Sequence, residues 1–272
     1  MQHRFSTGHP VHLNVQLGKG SLTVQATETS ETVVEVTGAE AEAVAVVQND
    51  QQIVVVAPRH SFGVGKDRGV DVTVTLPLDS DLFTKMGSTD TVARGRLGLA
   101  RLKSGSGYTS LDETTGGVVV DLGSGELAIE TVGGDLRVKS GSGDVRVGSA
   151  AGSVGVSTGS GDVRIGTAST STVLKSGSGD LSVDCAESDL TVSTGSGDLE
   201  VGQFSRGRAQ ARTGSGEVRI GIPAGVPVWT DVRSVSGRID SDLAGAGQPT
   251  EGQDHVELRV TTASGDVVLR QL

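Results

Sequence analysis

KSGSGDVRVGSAAGSV (139–154), GVSTGSGDVRIGTASTST (155–172), VLKSGSGDLSVDCAESDL (173–190) and TVSTGSGDLE (191–200) return the punctuation Gly-Ser-Gly-Asp every eighteen residues. A fixed period of this size, carried by strand formers and closed by glycines, marks a chain that coils on itself one rung at a time. The serine between the glycines recurs at Ser88, Ser106, Ser124, Ser142, Ser160, Ser178, Ser196 and Ser215, then at wider spacing at Ser236 and Ser264. The glycine after it recurs from Gly107 to Gly265, and Thr89 alone departs.

Two and four residues past that glycine stand apolar pairs such as Val145 and Val147, Val163 and Ile165, and Leu181 and Val183. Period two puts both members on one face of a strand, so both point inward. A second inward pair follows half a turn later, for example Leu136 and Val138 or Leu190 and Val192, and Val132, Ala150, Ala168, Ala186 and Phe204 fall where a corner needs filling. Each rung therefore holds two short strands and two corners. The expected fold is all-β, a parallel β-solenoid of about eighteen residues per coil, with each strand bonded to its counterpart one coil away at about 4.8 Å.

Outside the clock the chain is still strand-rich. Residues 1–86 alternate apolar and polar positions between turns at 18–20, 49–51 and 58–69 and read as a hairpin-rich cap or irregular first coils, because a solenoid must cover its end edge. The regular body spans 87–221, its interval stretched by one residue near 203–208. Residues 222–272 read as irregular C-terminal coils and cap continuous with the body, with a polar loop at 244–254 and Trp229 expected to cover the last rung.

Among 272 residues there are 41 glycines and 2% aromatics, which suits thin, closely spaced rungs. A net charge of -10 excludes nucleic acid and argues against an anionic membrane surface, since both select clustered Lys and Arg. No segment approaches the roughly 20 apolar residues of a membrane span, so no direct membrane insertion is expected. The single cysteine, Cys185, allows no internal disulfide and, with no apolar leader at the N-terminus, gives the expectation of a cytoplasmic protein.

The residues also resemble a family. A hairpin-rich N-terminal third, the step Leu76-Pro77, repeated (Ser/Thr)-Gly-Ser-Gly-Asp-(Val/Leu)-x-(Val/Ile) units, Ile222-Pro223-Ala224-Gly225 and the closing Ser264-Gly265-Asp266-Val267 look like the bacterial β-strand-repeat proteins called "putative adhesins" or toastrack domains. The resemblance implies a β-helical fold and a non-enzymatic role in protein interaction, linked in some members to envelope-stress systems. It brings no catalytic residues to carry over.

The most chemical-looking feature is the acidic column Glu126, Asp144, Asp162, Asp180, Asp198 and Glu217. Neighbours about 4.8 Å apart repel by roughly 1 kcal/mol in water, and something must offset that. Calcium, which takes six to eight oxygen ligands, is one candidate. The calcium-binding nonapeptide pattern does not fit, because Asp144 stands immediately before the inward Val145. The favoured alternative is local: backbone N–H groups at the turn, with Arg146, Arg164 and Arg219 two residues beyond their acids and Lys139 and Lys175 nearby.

Other chemistry finds less support. At 58–69, PRHSFGVGKDRG, the phosphate-loop pattern fails at His60 and Asp67, leaving an exposed loop. His3, His9, His12, His60 and His255 lack zinc spacing, and Cys185 has no neighbouring His. β-Helical polysaccharide enzymes use carboxylate columns, but sugar grooves lean on aromatic platforms and the body offers only Tyr108 and Phe204. An ice-binding hydroxyl face is interrupted by Lys139, Lys175 and Arg212. The sequence thus assigns no catalytic, cofactor-binding or metal-binding residue and no cofactor. It points to a non-enzymatic solenoid scaffold or adhesin-like interaction module with a protein partner or self-association, and with a calcium-binding or self-assembling rod as the alternative.

Overall fold

The computed structural model describes residues 1–58, 69–243 and 255–272. Residues 59–68 of the phosphate-loop reading at 58–69, and the polar loop at 244–254, therefore lie outside the described residues. The described chain is nearly all β, with one 3-10 turn at Ala41–Ala43, and it forms two compact units, Met1–Gly134 and Asp135–Leu272.

The first unit contains β1 (Gln2–Ser6), β2 (His12–Thr27), β3 (Glu31–Gly38), β4 (Ala45–Asn49), β5 (Gln52–Val56), β6 (Val70–Pro77), β7 (Asp81–Leu97), β8 (Ala100–Ser104), β9 (Thr109–Thr114), β10 (Val118–Leu122) and β11 (Leu127–Val132). Spatial order departs from chain order. β5 and β6 form the end coil and both lie parallel to β2, which in turn lies parallel to β7; β7 then carries β8 with β10 on one face and β9 with β11 on the other. β2 runs unbroken through the expected turn at 18–20, where Gly20 takes φ 122° against the backbone of Val70. The outer edge is covered by antiparallel strands: β4 on β5, β3 on β6 and β1 on β3. A free parallel edge would recruit other chains, and these strands occupy its donors and acceptors.

The second unit contains β12 (Leu136–Ser140), β13 (Val145–Ala150), β14 (Val154–Thr158), β15 (Val163–Ala168), β16 (Thr172–Ser176), β17 (Leu181–Ala186), β18 (Leu190–Ser196), β19 (Leu199–Phe204), β20 (Gly207–Ser215), β21 (Val218–Ile222), β22 (Val228–Ser234), β23 (Ile239–Ser241), β24 (Val256–Ser264) and β25 (Val267–Gln271). Even- and odd-numbered strands build two parallel faces. Partners sit eighteen residues apart from Leu136↔Val154 to Leu181↔Leu199, then nineteen apart at Leu190↔Ala209 and Leu199↔Val218. The extra residue enters before β20, where Gly207 adopts φ 91°.

This is the parallel β-solenoid that the period requires. The inward columns are buried: Val145, Val163, Leu181, Leu199 and Val218 are 2% exposed or less, and so are the corner residues Val132, Ala150, Ala168, Ala186 and Phe204. The chain order inverts at the end here too. β24 and β25 slot between β20 with β21 and β22 with β23, so among the described residues the outermost coil is 228–241 rather than the C-terminal strand. Trp229 does not cover that coil. It lies on the outward face opposite Glu257, 53% exposed, with the Arg259 guanidinium 6.0 Å from its ring centroid.

Candidate functional site

The acidic column is consumed by the fold. In the second unit the Asp162 N–H donates to Asp144 Oδ1 at 3.0 Å, Asp180 N–H to Asp162 at 2.9 Å, Asp198 N–H to Asp180 at 2.8 Å and Glu217 N–H to Asp198 at 2.7 Å. Asp144, Asp162, Asp180 and Asp198 therefore each cap the turn of the next coil, which offsets the repulsion between stacked acids. Ion pairs complete the corner where Arg146 reaches Asp144 and Arg219 reaches Glu217. Arg164 departs from the expected pattern and reaches Asp184 at 3.1 Å instead of Asp162. Among the described residues no three His, Cys, Asp or Glu side chains are grouped to hold a metal ion.

The same device recurs where the sequence did not advertise it. Asp135 accepts both the N–H and the hydroxyl of Ser153, at 2.9 and 2.8 Å, and the hydroxyl bond first, then the backbone bond, lowers its pKa. Cys185 is half-buried, and desolvation, then the nearby Glu187 charge, raises its thiol pKa, the opposite of what a nucleophile needs. Phe204 is wholly buried and cannot serve as a sugar platform.

The site that the geometry does build lies on the first unit, on the outward face of β5, β2, β7 and β8. Alternation directs Ile53, Val55, Leu13, Val15, Leu82 and Leu102 into the core, which turns Val54, Val56, Asn14, Gln16, Phe83, Lys85, Arg101 and Lys103 outward. Register aligns these into two rows across the strands: Val54, Asn14, Phe83 and Arg101 in one, Val56, Gln16, Lys85 and Lys103 in the other. Together they line a depression of about 320 Å³.

Its chemistry is mixed by design of the register. Val54, Val56 and Phe83 give a partly shielded apolar floor; Asn14, Gln16 and Gln52 offer amide donors and acceptors; Lys85, Arg101 and Lys103 give three exposed cations. Lys103 lies 3.5 Å from Asp121, whereas among the described residues Lys85 and Arg101 meet no carboxylate within 4.0 Å. At one rim His12 Nδ1 stands 2.8 Å from Asp81 and packs edge-on against Phe83. Lys85 and Lys103 are coil neighbours, as are Phe83 and Arg101, so half of the groove carries the eighteen-residue signature and was open to being found in the sequence. The other half comes from β5, whose pairing with β2 has no period to betray it.

A family profile described as Toastrack DUF4097 matches residues 11–270. Solved structures similar to the chain include a "putative adhesin" from Bacteroides fragilis NCTC 9343 (14% identity, 99% of this chain and 96% of that one, TM-score 0.42). Another "putative adhesin", from Parabacteroides distasonis ATCC 8503, has 13% identity over 98% and 96% of the two chains and a TM-score of 0.43. A "putative lipid binding protein" from the same strain has 9% identity over 98% and 96% and a TM-score of 0.46. A comparison with curated proteins gives no match.

Proposed function

Since the chain belongs to the toastrack family, we propose that it is a non-enzymatic protein-interaction module whose outer groove on β5, β2, β7 and β8 receives an extended acidic segment of a partner protein. The observation that carries this reading is the concentration of Lys85, Arg101 and Lys103 around an apolar floor in a chain of net charge -10. Arg101 and Lys103 are two residues apart on one strand, roughly 6.6 Å along it, and alternate side chains of an extended peptide repeat at the same distance. A segment with acids at every second residue can meet both cations while its backbone finds the amides. The non-enzymatic part is supported by the carboxylate column, where one oxygen each of Asp144, Asp162 and Asp180 is engaged by a backbone N–H. The lone Cys185 supports a cytoplasmic setting for the module. No described helix is long and apolar enough to cross a membrane.

The test is fluorescence anisotropy with a labelled peptide alternating Glu and Val, against a Lys and Val control. The acidic peptide binds, weakens as ionic strength rises, and loses about tenfold or more in affinity with Arg101→Glu/Lys103→Glu, two reversed contacts at roughly 1 kcal/mol each. Equal binding of both peptides, or an affinity untouched by the double reversal, would contradict the reading.

A further inference from the structure

The outermost coil of the second unit presents a strand edge that is self-complementary. Among the described residues β22 pairs only with β24. Its bonds to β24 are bracketed by Pro227, whose carbonyl accepts from Val256 N–H, and by Val235, whose N–H donates to Thr262. Alternation therefore turns the N–H and C=O groups of Val228, Thr230, Val232 and Ser234 toward the open side. The side chains on this coil are unusually exposed for their chemistry: Trp229 is 53% exposed and Val235 87%. An edge of this kind recruits another strand unless it is blunted.

We propose that β22 pairs antiparallel with β22 of a second copy of this chain, about a two-fold axis at Val232. The choice of occupant comes from the register. Only even-numbered residues face the edge, so an isologous pairing must set even opposite even, and few such registers centre on the strand. Centring on Asp231 places Asp231 against Asp231; centring on Arg233 places Arg233 against Arg233. Both set like charges directly opposite, which destabilises a sheet pair. Centring on Val232 places Asp231 of each copy against Arg233 of the other, Thr230 against Ser234, and Trp229 against Val235. Within one chain Arg233 already donates to Asp231 at 3.0 Å and Arg259 stands 3.6 Å from the same carboxylate, so the second strand adds two cross-strand pairs of opposite charge to an existing cluster. The inward face gains as well, because the half-buried Val232 meets its symmetry mate and the core continues across the axis. This surface is separate from the groove on the first unit and does not depend on it.

The experiment is sedimentation equilibrium and light scattering over a concentration series on the full chain. The wild type shows a reversible monomer–dimer equilibrium. Arg233→Asp and Asp231→Arg each weaken it at least about tenfold, since every substitution turns two attractive cross-strand pairs into repulsive ones by symmetry. An equimolar mixture of these two variants regains dimer, because Asp now opposes Arg at both positions. In a Cys185→Ser background, Val232→Cys forms a homodimeric disulfide under mild oxidation, since hydrogen-bonded antiparallel partners lie about 5.5 Å apart at Cα, within disulfide reach. A wild type that stays monomeric at the highest soluble concentration overturns the proposal. So does a dimer that both single variants leave intact, or a mixture that does not recover it when circular dichroism shows both variants folded.

Discussion

Alanine at Gly179 is among the sharpest perturbations that the coil spacing allows. A Cβ there would lie 2.0 Å from the Gly161 carbonyl oxygen and 2.6 Å from its carbon, where ordinary contact begins at 3.4 Å. Both obstacles are backbone, so no side chain can swing away. Relief requires the two coils to part locally, and the bonds nearest the clash are Asp180 N–H to Asp162 at 2.9 Å and Ser178 N–H to the Gly159 carbonyl at 3.1 Å. Overpacking costs roughly 1–3 kcal/mol and the two weakened hydrogen bonds about 0.5–1.5 kcal/mol each, for a total of about 2–6 kcal/mol. In a chain of this size that corresponds to a drop in Tm of roughly 5–15 °C, read by circular dichroism at 218 nm, a wavelength dominated by strand absorption. Gly155→Ala is the matched control. Its Cβ would find nothing nearer than the Leu136 carbonyl oxygen at 3.9 Å, so the substitution is neutral or gains about 0.4–1 kcal/mol by restricting the unfolded chain. Were Gly179→Ala to melt within about 2 °C of wild type, alongside Gly155→Ala, the glycine would not be held by the coil beneath it and the stacking argument would fail.

Two further outcomes test the corners. Asp162→Ala removes the acceptor of the Asp180 N–H and costs about 0.5–1.5 kcal/mol, whereas Asp162→Asn keeps an acceptor oxygen and loses less; urea midpoints that are equal for the two, or a Tm that rises when calcium is added to the wild type, would return the column to a metal reading. The Asp79–Arg96 pair gives the pH dependence: the Arg96 hydrogen bonds, at 2.8 Å to each oxygen, hold the Asp79 pKa below its ordinary value despite the opposing desolvation. A depressed folded pKa means that the contribution is complete above the unfolded value of about 4 and is lost as pH falls through the folded one. The Tm gap between wild type and Arg96→Gln is accordingly constant from neutral pH to about 5 and closes on further acidification; a gap that widens in acid would refute the assignment.

The period was legible because parallel stacking in register makes every coil solve the same local problem. Gly125, Gly161, Gly179 and Gly197 recur because each would place a Cβ against the backbone of the coil below. The acids recur because each turn offers the next N–H to the same carboxylate. What the sequence hid is where pairing ignores chain order. β24 joins β20 across a separation of nearly fifty residues, and β2 joins β5 across forty, so no spacing between neighbouring motifs announces either contact. Trp229 was misplaced for that reason: its strand is reached out of chain order through β24, and it lies on the outward face. Binding surfaces follow from the same rule. In the regular body a row across the coils sets like beside like, such as Asp144, Asp162 and Asp180, and a row of one chemistry offers a partner little discrimination. A row as mixed as Val54, Asn14, Phe83 and Arg101 requires coils drawn from unrelated segments. The period must break before the surface can become specific, which is why both candidate interfaces lie at the irregular coils, one on each unit.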